Sequence, residues 1–362
     1  MKIWKGEVVL SIVFILLSFA AGYIPPVIFL KWIAFVLLIW FVIRKIKKDQ
    51  KAGNKHQLGK SILMIAIFIG LALASVPLTD VAKAKHNGVL FPFQTIHRSN
   101  YYIQEEIKDT FNFSGYIQEL ELASAHFQTQ SDSVLFEGKY FKYLIIKHEP
   151  GNPKKKILII ASVHGDEPAG ALSIPVLLRN IEQDSGKYAD ASILILSPIN
   201  PVGLAYSSRE NEMGCNLNRD YHNPTQAETK RIISEIDKFK PDIILDLHEN
   251  NGNWKTCLMA NSLVSNELGK NLCEDLKTKS IPLAEFAFDT NLELPGWHKR
   301  GSYRKAINYL AGLNDLMRYG EEKNIPVITL ESDQSLEQKK RIEICTSVVD
   351  ALIQYDKPIG KL

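Results

Sequence analysis

The chain has 362 residues, 46% of them hydrophobic and 23% charged, with a formal net charge of +3. That length allows one large domain plus an appendage, and so even a charge balance gives no footing for nucleic-acid binding. Charge and hydropathy are unevenly spread, however, and the distribution carries the information.

Three apolar runs fill the first fifth of the chain, at about 8–24, 27–43 and 62–78. Each is close to the roughly 17–25 residues a helix needs to cross a bilayer. Only Lys31 interrupts them with a charge, and Trp4, Tyr23, Trp32 and Trp40 sit toward their ends as interfacial aromatics do. A single leading run would suit a cleaved signal peptide, but three in series predict a membrane anchor over residues 1–80. The stretch 44–60 holds seven Lys or Arg against one Asp, so it is expected to stay cytoplasmic. With the amino terminus also inside, three crossings leave the remainder extracytoplasmic, and the lipid bilayer becomes a partner.

Residues 81–132 lack a clear period and read as a connector or stalk, with helical stretches such as YIQELELASA. From about 133 to 362 the grammar changes. Strands are predicted at VLFEG, YFKYLIIKH (140–148), KILIIASV (156–163), ASILILSPIN, DIILDLHEN and PVITLES, and amphipathic helices at AGALSIPVLLRNIEQ, QAETKRIISEIDKF and LEQKKRIEICTSVVDALIQ. Continuous aliphatic strands between such helices predict an α/β domain, its mixed and largely parallel sheet covered on both faces. The four cysteines (Cys215, Cys257, Cys273, Cys345) all fall in this part. An even number in an oxidising compartment permits one or two disulfides, with buried free thiols as the alternative.

The polar residues at the strand ends carry the chemistry. His164 and Glu167 follow strand 156–163, His248 and Glu249 end the strand that begins at Asp242, and Glu331 ends the strand of PVITLES. Ligands of open α/β sheets bind outside the carboxyl ends of the strands, so three strands deliver imidazoles and carboxylates to one edge. A lone His-x-x-Glu is a weak signal, and a strand-end histidine is commonly satisfied by backbone. Here His164, Glu167 and His248 together make a three-ligand zinc set that leaves a fourth position for water, and Glu331 is suited to proton transfer.

A second polar cluster, SSRENEMGCNLNRDY (207–221), lies between them. In order, HGDE, INPVGL (199–204), Arg209, NLNRDY, DLHE and TLES follow a pattern that resembles the zinc carboxypeptidases across about residues 133–355. HGDEPAG and DLH lean toward their succinylglutamate desuccinylase and aspartoacylase branch. The resemblance implies one Zn²⁺ per chain on His164, Glu167 and His248, with Glu331 as general base. It implies Arg209 as the group that polarises the scissile carbonyl, and Asn218 with Arg219 as the grip on a substrate carboxylate. Asp246 reads either as a group tuning the site or as an ordinary strand aspartate. Carboxypeptidases of this family also carry a mobile tyrosine before the late glutamate, and Tyr303, Tyr309 and Tyr319 are the candidates. The substrate so implied is a peptide or N-acyl amino acid with a free carboxylate. The leading reading is a membrane-anchored carboxypeptidase acting outside the cytoplasm, on cell-wall peptides if the host is a bacterium. The alternatives are an N-acyl amino acid deacylase and an inactive membrane-anchored binding domain.

Overall fold

The computed structural model describes residues 111–250, 254–287, 290–292, 294–301 and 314–360, together with Arg44. The chain divides into two compact units, Pro92–Ser302 with Asn314–Leu362 and Met1–Phe91 with Tyr303–Leu313. Apart from Arg44, all described residues belong to the former. The three apolar runs expected to span a membrane lie outside the described residues, as do Tyr303 and Tyr309. Among the described residues no helix is long and apolar enough to cross a membrane.

In chain order the unit contains α1 (Phe113–Ala123), β1 (Gln128–Phe136), β2 (Lys139–His148), β3 (Lys155–Ala161), α2 (Ala169–Gln183), β4 (Ala191–Ser197), α3 (Pro201–Ala205), α4 (Ala227–Phe239), β5 (Ile243–Asn250) and β6 (Cys257–Ala260). There follow α5 (Asn266–Thr278), β7 (Phe286–Ala287), β8 (Thr290–Asn291), β9 (Trp297–Lys299), α6 (Leu316–Lys323), β10 (Val327–Asp333) and α7 (Gln338–Gln354). Strands β7 and β8 form a small hairpin, and the others an eight-stranded sheet in the order β1-β2-β4-β3-β5-β10-β6-β9. β4, β3, β5 and β10 run parallel at its centre, β1 and β2 pair antiparallel to their neighbours, and β6 is antiparallel to β10 and parallel to β9. The mixed, largely parallel sheet flanked by helices is therefore the one predicted.

The aliphatic strands explain this arrangement. In β3, Ile157 and Ile159 face one layer while Leu158 and Ile160 face the other, and all four are fully buried. Burying each such side chain contributes about 1.5–3 kcal/mol, which a one-faced strand cannot collect at every position. α2, α5 and α7 cover one face through Ile174, Leu272 and Val348. α4 and α6 cover the other through Ile232, Ile236, Leu316 and Met317.

Residues before 133, expected to form a connector, also pack in this core. α1 places Tyr116, Ile117, Leu120 and Ala123 on one face, and all are buried in the main core. The Tyr116 hydroxyl also bonds Ser197 Oγ at 2.9 Å, which ties α1 to the end of β4. β1 already begins at Gln128. Its first six residues are exposed, as suits an edge strand, so no alternation of apolar and polar residues marks those six in the sequence. All four cysteines are free thiols, and Cys257, Cys273 and Cys345 are buried.

Candidate metal centre

β3 ends at Ala161, and the next residue leaves the strand abruptly. Ser162 adopts φ +61°, a left-handed conformation uncommon for a residue with a side chain. The turn is fastened by backbone bonds from Ile199 N–H to Ala161 and from Asn200 N–H to Ser162, both 3.0 Å. Asn200 then caps α3 by accepting from Gly203 N–H at 2.9 Å and donates through Nδ2 to the Val163 carbonyl at 3.2 Å. This is the physical content of the Asn-Pro-x-Gly motif, whose α3 braces the loop bearing His164. The brace is tight: a Cβ on Gly165 would sit 1.9 Å from the Gly203 carbonyl carbon.

His164, Glu167 and His248 meet at the carboxyl edge of β3 and β5, all buried, with their candidate ligand atoms within 4.8 Å of one another. Glu167 Oε1 lies 2.8 Å from His164 Nδ1, and Oε2 lies 2.7 Å from His248 Nδ1. The two Nδ1 atoms are 3.0 Å apart. The outward ring nitrogens are already occupied. His248 Nε2 meets Asp246 Oδ2 at 2.9 Å, and His164 Nε2 meets Asn216 Oδ1 at 3.2 Å. Two imidazoles braced from behind, with both inner nitrogens and a carboxylate converging, form a donor set suited to zinc.

Burial holds the His164 imidazole down at about 4, so it is neutral. Burial also penalises charge on His248, but the carboxylates of Asp246 and Glu167 outweigh it and raise that ring well above its ordinary value. Desolvation likewise opposes the Glu167 charge, yet the two histidines hold this carboxyl well below the usual range.

Glu331 stands beside His248 in the register of the parallel pair β10–β5. Burial pushes its carboxyl up to about 7, with the neighbouring Glu167 adding to the rise and His248 opposing it. Arg209 Nη1 donates to Glu167 Oε1 at 2.7 Å, and its side chain is 42% exposed. Its loop is hung from the His164 turn by bonds from Gly165 N–H to Ser208 and from Ser208 N–H to Gly203, each 2.8 Å.

Asn218 and Arg219 occupy a single 3₁₀ turn, Leu217–Arg219, capped by Asn216. The Asn218 side-chain oxygen accepts from Leu316 N–H at 3.1 Å. Arg219 Nη1 donates to the Asn218 carbonyl at 2.6 Å, while its buried Nε has no partner among the described residues. A guanidinium with an unused buried donor can still take a carboxylate.

One feature escaped the sequence. Asn216 lies inside the quoted NLNRDY region, but nothing in its spacing shows that it backs His164. Asp246 does show a signal, since its place two residues before His248 puts both side chains on one face of β5. Tyr319 is not a mobile tyrosine. It is buried in α6, its ring 5.8 Å from that of Tyr221 in the apolar layer.

The loop 207–221 is anchored by Asn211, whose Oδ1 accepts from Met213 and Cys215 N–H and whose Nδ2 donates to Glu228 Oε1 at 3.2 Å. Burial, then the adjoining Glu212 carboxylate, pushes Glu228 up to about 7. A raised carboxyl leaves stability untouched below the unfolded value of 4.5 and withdraws it as pH climbs toward 7. The loss above that point is about 3 kcal/mol. Glu228→Gln should abolish that slope while keeping the bond to Asn211. Thermal unfolding followed from pH 5 to 8.5 should therefore show the variant more stable than the parent chain only on the alkaline side. Parallel curves would remove Glu228 as the titrating group.

Two crystal structures assigned as metallopeptidases share the fold. The one from Shewanella denitrificans OS217 has a TM-score of 0.52 at 17% identity, over 68% of this chain and 90% of its own. Its counterpart from Shewanella amazonensis SB2B has a TM-score of 0.52 at 17% identity, over 67% and 92%. In sequence, residues 153–287 match the succinylglutamate desuccinylase/aspartoacylase catalytic domain family. Carboxypeptidase 2 of Trichophyton rubrum is 32% identical over 124 residues, which are 31% of this chain and 23% of the relative. Carboxypeptidase 2 of Trichophyton tonsurans is 30% identical over the same shares. The chain thus spans about a quarter of the length of these curated relatives. The resemblance to zinc carboxypeptidases, close to the desuccinylase and aspartoacylase branch, holds in sequence, and the fold is shared with the two metallopeptidase structures.

Proposed function

We propose that the chain is a zinc-dependent hydrolase that cleaves an amide bond next to a free carboxylate. The observation that carries this reading is the buried His164–Glu167–His248 cluster with Glu331 in register beside it. The inner Nδ1 atoms of the two histidines and the Glu167 carboxylate would hold one Zn²⁺. Bound there, zinc would polarise the scissile carbonyl and lower the pKa of water to about 7. Glu331 takes the proton of the attacking water and returns it to the departing amine, a task suited to a carboxyl poised near neutrality. Arg209, partly exposed at the rim, supplies positive charge to the developing oxyanion. Arg219 and the Asn218 amide group orient the substrate by its carboxylate. Asp246 and Asn216 keep the two imidazoles aimed.

Carboxypeptidase is the first reading, supported by the names of the relatives in the 124-residue alignment. N-acyl amino acid deacylase is the second, supported by the family matched over residues 153–287. Incubating the purified chain with free-acid peptides and with N-acyl amino acids distinguishes them by the amine released. Hydrolysis of neither by the zinc-loaded chain would leave an inactive binding domain.

The membrane anchor, the extracytoplasmic side and a cell-wall peptide substrate rest on the hydropathy and lysine distribution of residues 1–80. A reporter active only outside the cytoplasm is expected to work when fused at Leu362 and to fail near Lys51. The reverse pattern would put the hydrolase inside and favour the deacylase.

A further inference from the structure

On β5, Ile244, Asp246 and His248 share one face. Ile244 packs there with Leu217, Tyr221, Leu316, Met317 and Tyr319, an otherwise apolar layer. Asp246 is completely buried, and while its Oδ2 holds His248, its Oδ1 has no partner among the described residues. Tyr221 is only 1% exposed, and its hydroxyl likewise has none. An anionic oxygen and a phenolic donor stranded in the same apolar layer are each costly alone and satisfy one another.

A second stranded hydroxyl, on Tyr319, is the rival donor. The two tyrosines are told apart by their surroundings. Burial comes first in raising both phenols, but the leading charge that bears on Tyr221 is Asp246, whereas the charge that bears on Tyr319 is Asp237 of α4. Asp246 is thus the leading charge near Tyr221, and Asp237 of the covering helix the one near Tyr319. The raised phenol also stays protonated, hence a donor, throughout the neutral range.

We propose that Tyr221 is a positioning residue of the metal centre: its hydroxyl donates to Asp246 Oδ1, directly or through one bound water, and fixes the carboxylate that holds His248. The proposal rests on the metal reading above. It has a consequence for the substrate side as well. Tyr221 lies two residues beyond Arg219, and its backbone N–H bonds the Asn314 carbonyl at 3.3 Å. One short segment would then carry both the carboxylate-binding guanidinium and the outermost brace of the metal.

The test uses the full-length chain, with zinc affinity measured by chelator competition and the absorption bands of the cobalt-substituted form as a second readout. Tyr221→Phe keeps the ring and removes only the oxygen. It is expected to weaken zinc about tenfold, within the usual range for loss of an outer-shell partner, and to shift the cobalt bands. The metal-free melting temperature should stay near that of the parent chain. Tyr319→Phe is expected to change neither affinity nor spectrum. Because Tyr221 acts through Asp246, Tyr221→Phe combined with Asp246→Asn should bind zinc no more weakly than Asp246→Asn alone. Unchanged affinity and spectrum in Tyr221→Phe would overturn the proposal, and so would losses that multiply in the double variant. A parent chain that binds no zinc would fail differently, by removing the metal centre itself and this proposal with it.

Discussion

Glu331→Gln is expected to retain the fold and the zinc while losing about 10²–10⁴-fold in turnover, the range typical of a general base. That loss corresponds to about 3–5.5 kcal/mol of transition-state stabilisation. The reason is chemical rather than steric. Glutamine fills the same space at the end of β10, but its amide cannot take a proton from the attacking water. The side chain is mounted on a buried strand between β5 and β6, so the substitution leaves its support undisturbed. His164→Ala and His248→Ala provide the contrast, since each deletes a nitrogen of the converging set and should abolish zinc as well as turnover. Elemental analysis and hydrolysis assays on the same preparations separate the two kinds of loss. Near-normal hydrolysis by Glu331→Gln would mean that another group is the base, and stoichiometric zinc in both histidine variants would remove the site.

The contrast between what the sequence revealed and what it hid follows from how each kind of residue is held. His164, Glu167, His248 and Glu331 were legible because they terminate aliphatic strands that can only be buried ones. A parallel sheet brings such ends to one edge whatever the loops do. Asn218 and Arg219 were legible only through the resemblance, since in a polar loop every residue type is ordinary. What hid was the wiring. Asn216 backing His164, Asn211 hanging the loop on Glu228, and Tyr221 lying in the layer of Asp246 are relations between side chains that spacing along the chain does not encode.

The first six residues of strand β1 hid for a different reason. Their sequence, QTQSDS, is polar because an edge strand need not bury a face, so a hydrophobic pattern had nothing to report there. The region of β6 to β9 was equally opaque, its strands only two to four residues long. Periods cannot be read over so few positions.

Under the proposed function, Arg219 decides what class of substrate is taken. If it grips a terminal carboxylate, the chain should cleave free-acid substrates and largely ignore their amidated forms. A lost charge-assisted hydrogen bond costs about 1.5–3 kcal/mol, so Arg219→Ala should lower kcat/KM for free acids by about tenfold to a hundredfold. For amidated substrates the same change should do little, and the two rates should converge. Arg219→Lys should restore only part of the preference, because a point ammonium lacks the planar two-pronged geometry. The competing role is structural. Arg219 already bonds the Asn218 carbonyl, and the Asn218 side chain accepts from Leu316 N–H at the start of α6, so a mere brace of the loop is the rival role. A brace predicts equal losses on both substrates together with a lower melting temperature. Its Nε, with no partner among the described residues, argues the other way, since a buried donor left unused in a structural role is a standing penalty, whereas a recognition role employs it whenever substrate is bound. Equal losses with reduced stability would nonetheless strip Arg219 of its role in specificity, and selective loss on free acids with an unchanged melting temperature would establish it.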